Sequence, residues 1–126
     1  MQDKALVLDE NRAVAAGAST KTLYDDAPIN TGYPFVGETR VNEDVTGGPM
    51  TVEYQVSDTE DFTKKFIIGS SGEVAAEDLK KGMAIRVPLS FNPKKYPYLR
   101  AYYNTTATGG KITTVLQPAV QTNMEK

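Results

Sequence analysis

The acidic run Asp58-Thr59-Glu60-Asp61 is the densest group of side chains with potential for acid–base chemistry or metal binding. A glycosidase needs two carboxyl groups roughly 5–9.5 Å apart on opposite sides of the scissile bond, one of them in an apolar pocket. Four consecutive turn residues fit that arrangement poorly. Asp58, Glu60 and Asp61 could offer oxygen ligands to a hard cation, but they lack the spaced ligand loop of a calcium site. We interpret the run as a solvated turn.

The chain contains no His, Cys or Trp. This composition excludes nucleophile systems based on His or Cys and the histidine-bound metals of cupin enzymes. It also excludes disulfides and thiolate metal sites. We therefore expect a protein that is not an enzyme, needs no cofactor or metal, and acts through a surface that binds or assembles.

Tyrosines are concentrated near the start of one predicted strand, at Tyr96, Tyr98 and Tyr102. They could stack on sugars, as in a carbohydrate-binding module, although the most frequent stacking residue, Trp, is absent. Tyrosine also supplies rigid contact area with a polar tip, which suits protein interfaces. We predict that Tyr98, Arg100 and Tyr102 form an outward interface, either between copies of the chain or with a larger assembly.

The net charge of −2 is unevenly distributed, because residues 1–62 hold 12 acidic and 4 basic side chains and residues 63–126 hold 4 acidic and 10 basic ones. Such asymmetry suits contacts with further copies or with a charged assembly, unless the fold interleaves the two halves. The basic residues occur as separated pairs in an acidic chain, so nucleic acid is not an expected partner.

Residues 1–17 show no sustained period and are predicted to form an N-terminal arm. Their apolar cluster, Ala5-Leu6-Val7-Leu8, is too short for a signal-peptide core or a membrane span, so no membrane partner is expected. We predict that Leu6, Val7 and Leu8 dock against a neighbouring subunit or a larger assembly.

Apolar and polar residues alternate in short runs between residues 51 and 116, and this period of two is typical of strands. The clearest run places Val52, Tyr54 and Val56 inward and Glu53 and Gln55 outward. The pattern predicts thirteen core residues: Val52, Tyr54, Val56, Phe66, Ile68, Ile85, Val87, Leu89, Leu99, Ala101, Tyr103, Ile112 and Leu116.

Turn signals separate about seven or eight short strands, at a spacing typical of a β-sandwich or jelly roll. Strands are also predicted at residues 19–24 and 33–41, a helical turn at 74–82, and a hairpin connection at 105–110. The predicted organisation is all-β: an extended arm (1–17), one jelly-roll domain (18–117) and a flexible tail (118–126).

The order of several of these elements resembles a known family, the small jelly-roll capsid cement proteins of tailed bacteriophages, of the Bordetella-phage type. The resemblance covers about residues 5–117. It rests on the run from Tyr54 to Phe62, on Leu79 and Gly82 before an alternating strand, on the run from Tyr98 to Tyr103 followed by that from Gly109 to Thr113, and on Ser19 to Leu23 after an Ala-rich start.

The outward face of Tyr98, Arg100 and Tyr102 favours a homo-oligomer, with a dimer slightly preferred over a trimer. The resemblance implies a symmetric oligomer that is made in the bacterial host cytoplasm and then sits on the outer surface of the virion. There it would bind the major capsid protein of the same phage and clamp neighbouring capsomers of the expanded head. Two loops depart from the family pattern: residues 41–48 carry two acids and a glycine pair, and residues 91–96 an extra Pro-Lys-Lys. Two alternatives stay open: a carbohydrate- or host-surface-binding module on a virion, and an isolated soluble domain with another role, enzymes included.

Overall fold

The computed structural model describes residues 7–24, 35–89, 96 and 98–118. Strands dominate this part of the chain, and a short 3₁₀ turn at Ala76–Asp78 lies between the sixth and seventh of them. The strands are β1 (Val7–Ala13), β2 (Gly17–Ala18), β3 (Leu23–Tyr24), β4 (Phe35–Thr46), β5 (Met50–Ser57), β6 (Lys65–Ser70), β7 (Ala84–Pro88), β8 (Tyr98–Thr105) and β9 (Gly109–Pro118).

The strands form two antiparallel sheets that pack face to face as a sandwich. The first sheet has the order β1-β9-β4-β7 and the second the order β2-β8-β5-β6. The short β3 pairs with β8 beside β2, so β2 and β3 are two pieces of one interrupted strand. With these pieces counted as one strand, the chain changes sheet between all consecutive strands except β5 and β6, which is the order of a jelly roll. The predicted all-β jelly-roll sandwich is confirmed.

Alternation along the strands explains the core, because antiparallel partners share a face. On β5 the even-numbered residues from Met50 to Val56 are buried, and on β8 the buried set is Leu99, Ala101 and Tyr103. Twelve of the thirteen predicted core residues are buried; only Phe66 is not. The core also holds residues outside the predicted set: Leu8, Val14, Val41, Val45, Met50, Leu79 and Ala107.

The prediction that Phe66 belongs to the core is wrong, since this side chain is 48% exposed. Phe66 lies opposite Val56 in the register. However, β6 is the last strand of its sheet, and a register shift between Tyr54 and Gln55 interrupts its pairing with β5. The side chain therefore lies at the margin of the sandwich, where it contacts Tyr96.

The predicted N-terminal arm does not hold for residues 7–17, which belong to the sandwich. Strand β1 pairs with β9 as an edge of the first sheet, and Leu8 is completely buried in the core. Val14 is buried as well, and its amide donates to the carbonyl of Gly110. Residues 1–6 and 119–126, which include Leu6 and most of the predicted tail, lie outside the described residues.

Several predicted elements have different bounds in the structure. The strand predicted at 33–41 continues to Thr46 as β4, and the one predicted at 19–24 appears as β2 and β3. The helical turn predicted at 74–82 is reduced to the 3₁₀ turn, whose first turn carries no buried side chain. The hairpin connection between β8 and β9 shortens to three residues, 106–108.

Two glycines are required by close packing. A Cβ on Gly37 would collide with the ring of Tyr54, so a side chain there would displace a core residue. Gly110 has a φ of 109°, and a Cβ there would lie 2.8 Å from the carbonyl oxygen of Asp44. Both positions keep β4 in close contact with its neighbours in the sandwich.

Candidate interaction surface

The predicted interface residues Tyr98, Arg100 and Tyr102 lie on the outer face of the second sheet. They alternate along β8 with the buried residues Leu99 and Ala101, and each is half-buried. We refer to Tyr98, Arg100 and Tyr102 as the tyrosine–arginine face. The structure thus places these three side chains together, as the alternation predicts.

Arg100 is held firmly within this face. Its Nε donates to Oε1 of Gln55 at 2.9 Å. Its guanidinium carbon lies 4.1 Å from the ring centroid of Phe62 and 5.5 Å from that of Tyr102. Partial burial lowers the pKa of Arg100 from its usual value. The cation is therefore fixed in place between two aromatic rings, and a partner would meet a rigid group.

Gln55 and Phe62 are functional neighbours that sequence reasoning missed. Gln55 was predicted to face solvent, and it does lie on the outer face, yet Arg100 helps to cover it and it is only 2% exposed. Phe62 is 3% exposed although it ends the acidic turn. Phe62 has a positive φ of 55°, which is uncommon outside glycine, and its ring lies against Arg100. The only sequence signal was one aromatic residue within a charged turn.

Hydrogen bonds extend the tyrosine–arginine face along β5. Asn104 donates to Oε2 of Glu53 at 3.2 Å, and Gln55 approaches Oε1 of the same carboxylate at 3.4 Å. The surface therefore combines two tyrosine rings with a cation, an anion and amide groups. Such a surface can stack on and hydrogen-bond a partner.

A second exposed region, also missed from the sequence, lies on β6. Phe66 is 48% and Ile67 is 54% exposed, and they are the exposed large hydrophobic side chains among the described residues. The ring centroids of Phe66 and Tyr96 are 5.1 Å apart. An open cleft of about 520 Å³ adjoins them, lined by Asp58, Thr63, Lys64, Lys65, Phe66 and Tyr96.

Of the predicted docking residues near the N-terminus, Val7 and Leu8 do not join the tyrosine–arginine face, and Leu6 lies outside the described residues. Leu8 is not available to a partner because it is fully buried in the core. Val7 is half-buried and lies in the first sheet, opposite Val115 of β9. A cleft of about 350 Å³ follows β1 and is lined by Val7, Leu8, Asp9, Glu10, Arg12, Thr20 and Lys21.

The acidic turn is organised by its own hydrogen bonds. Oδ1 of Asp61 accepts from the hydroxyl of Thr59 at 2.8 Å and from the amide and hydroxyl of Thr63 at 3.0 and 2.7 Å. The bonds from Thr63 and Thr59 lower the pKa of Asp61. Within residues 7–24, 35–89, 96 and 98–118, no group of three acidic side chains could hold a metal ion.

A buried polar cluster lies between the sheets and contains Asp9, Arg12, Tyr103, Thr114 and Thr39. The Tyr103 hydroxyl donates to Oδ2 of Asp9 at 2.7 Å and lies 2.8 Å from the hydroxyl of Thr114. The Thr114 hydroxyl is in turn 3.0 Å from that of Thr39. Because a carboxylate can only accept, the hydrogen bonds run from the threonines through Tyr103 to Asp9.

Asp9 also joins strands from both sheets. Its Oδ2 accepts from Arg12 at 3.2 Å and its Oδ1 from the amide of Thr20 at 2.9 Å. The same Arg12 nitrogen donates to the carbonyl of Ala18 at 2.7 Å. Burial, opposed by the Thr114 bond and assisted by the Asp9 charge, raises the pKa of Tyr103 far above its usual value. This cluster is largely buried, and its hydrogen bonds fasten β1 to the second sheet.

No protein-family model matches the chain, and no curated protein matches its sequence. Within the described part of the chain, no helix is long and apolar enough to cross a membrane.

Proposed function

We propose that this protein is a structural capsid cement protein of a tailed bacteriophage. It would bind the outer surface of the expanded head, contact the major capsid protein of the same phage and clamp neighbouring capsomers. The function would be binding and assembly, without catalysis. It would be made in the bacterial host cytoplasm, associate as a homo-oligomer and reside on the virion surface.

The observation that best supports this proposal is the location of the residues that carry the family resemblance. The run from Tyr54 to Phe62 supplies β5 and its turn, and the run from Tyr98 to Tyr103 supplies the adjacent β8. The side chain of Phe62 lies against Arg100 on the outer face. These separated sequence segments therefore build one rigid surface on a jelly roll, which suits a protein that binds a fixed lattice of sites.

A second candidate function, glycan or host-surface binding, is favoured by the composition of the same face. Tyrosine rings beside amide and carboxylate groups are suited to stacking on sugar rings and to hydrogen-bonding their hydroxyls. On this face Asn104 and Gln55 provide the amides and Glu53 the carboxylate. The two functions differ in the partner that they require, so they can be tested separately.

The decisive experiment adds the purified protein to emptied phage heads before and after expansion. A cement protein should decorate expanded heads and bind unexpanded ones at least roughly tenfold more weakly, which corresponds to 1.4 kcal/mol. Tyr102→Ala should reduce decoration, whereas Glu10→Ala, an exposed change on the other sheet, should not. Absence of binding to expanded heads, combined with selective retention on a glycan array, would replace the cement proposal with the second one.

A further inference from the structure

The sandwich formed by the described residues has four strand edges, and three of them are poor templates for further pairing. Register shifts interrupt β1, and the edge formed by β2 and β3 consists of two-residue pieces. Strand β7 contains Pro88, which cannot donate a backbone hydrogen bond. Bulges, short strands and prolines are common protections against edge-to-edge association.

The fourth edge, β6, has a single register shift, at Ile68 in its pairing with β5, but it is neither short nor interrupted by proline. It is six residues long without proline, and in the described part of the chain its strand partner is β5 alone. Phe66 and Ile67 are consecutive, so they flank the free backbone edge on opposite faces of the sheet. A strand added here would gain backbone hydrogen bonds and cover apolar surface on both faces.

Charges at the two ends of β6 indicate the orientation of the added strand. Lys64 and Lys65 are exposed at its start, and exposed Glu73 follows its end. None of these three charges has an ion pair among the described residues. Antiparallel pairing of two β6 strands would bring the lysines of each copy beside the Glu73 end of the other. Parallel pairing would place like charges together.

We propose that β6 pairs antiparallel with β6 of a second copy and joins the two second sheets into one continuous sheet. This two-fold arrangement is isologous and closes as a dimer. The inference rests on the homo-oligomer in the proposed function, but not on attachment to a capsid. The joined sheet would present both tyrosine–arginine faces on the same side, so one dimer could contact two neighbouring sites.

Light scattering on the full chain tests the pairing. The wild-type protein should have twice its monomer mass of 13.7 kDa at micromolar concentration. Ile67→Lys should weaken the dimer at least roughly tenfold, because it introduces a charge into the buried edge. The matched control, Ala15→Lys, adds the same charge to an exposed position that follows β1. A monomeric wild type, or an Ile67→Lys dimer of unchanged affinity, would refute the proposal.

Charge exchange supplies a test that a folding defect cannot imitate. Lys64→Glu and Glu73→Lys should each weaken the dimer several-fold, and the double variant should recover most of the loss. The two residues lie beyond opposite ends of β6, so direct contact within one copy cannot explain the recovery. If the double variant loses as much dimerisation free energy as the two single variants together, the antiparallel pairing is ruled out.

Binding to expanded heads tests the cement function separately from the β6 pairing. Failure of a well-formed dimer to decorate expanded heads would contradict the cement function and leave the β6 pairing intact. Decoration by a wild-type protein that is monomeric in solution would support the cement function and contradict the pairing.

Discussion

The two lateral edges of the sandwich, β1 on one side and β6 on the other, are built in opposite ways. On β1, Asp9 and Arg12 point into a buried polar cluster that reaches Tyr103 of the second sheet. On β6, Phe66 and Ile67 leave apolar surface exposed. The β1 edge is held to its own domain by hydrogen bonds, whereas the β6 edge exposes apolar surface that a partner could cover.

This difference fits a structural role for β1 and the proposed binding role for β6. A buried carboxylate that accepts several hydrogen bonds holds its neighbours in one arrangement, because any departure leaves polar groups unsatisfied. Exposed apolar side chains on a strand edge contribute little to an isolated domain and gain their free energy only when covered. The comparison predicts that changes on β1 reduce stability, while changes on β6 alter association.

The largest expected effect is that of Asp9→Ala. It removes the acceptor of Tyr103, Arg12 and the Thr20 amide, and it leaves the Arg12 charge without its partner. We expect the free energy of unfolding to fall by about 3–5 kcal/mol, measured by urea denaturation. Glu10→Ala, the exposed acidic neighbour, is the control and should change it by less than about 0.5 kcal/mol. Equal losses would show that Asp9 does not fasten β1.

Alkaline pH should also lower the free energy of unfolding, because two tyrosines are buried in the core. Burial, opposed slightly by nearby Thr39, raises the pKa of Tyr54 to about 12. An unfolded tyrosine titrates near pH 10, so the unfolded state releases this proton first. The pKa difference therefore leaves the free energy of unfolding unchanged below pH 10 and lowers it by about 3 kcal/mol as the pH rises through 12. Tyr103 should add to the decline, since its pKa is raised as well.

Tyr54→Phe isolates the contribution of the Tyr54 hydroxyl to this pH dependence. The Tyr54 hydroxyl is buried without a hydrogen-bond partner in the part of the chain that the structure describes. Its removal should leave stability at pH 7 unchanged or slightly higher. The decline above pH 10, followed by denaturant titration at several pH values, should become shallower. An equally steep decline in this variant would assign the effect to other groups.

The sequence predicts β5 and β8 well because the alternation of both strands is uninterrupted. Strand β1 escapes prediction for a physical reason: its register shifts break the period of two, and Asp9, a charged residue, is buried. The lack of a sustained period in residues 1–17 is therefore the pattern that predicts an arm. Similarly, alternation predicts that Phe66 lies on the inner face of the second sheet. Whether its side chain is buried depends on how far the first sheet extends over that face. Period alone cannot reveal which strand ends a sheet.

The candidate surface was predictable in part. Alternation on β8 places Tyr98, Arg100 and Tyr102 together, as the structure does. The contribution of Phe62 was not predictable, because it depends on a positive φ in the turn before β6. Long-range contacts such as that of Arg100 with Gln55 require the β5–β8 register, which single-strand patterns do not define.

The smallest effects compare two adjacent isoleucines on β6. Ile68 is 4% exposed and Ile67 is 54% exposed. Ile68→Val should lower the free energy of unfolding by about 1 kcal/mol, because it removes a buried methylene and leaves a small cavity. Ile67→Val removes the same group from a position that water already reaches. If the proposed pairing covers this position, its loss should appear only at concentrations where the dimer forms, and it should vanish on dilution. A loss for Ile67→Val that is independent of protein concentration would mean that the domain itself, and no second copy, covers this edge.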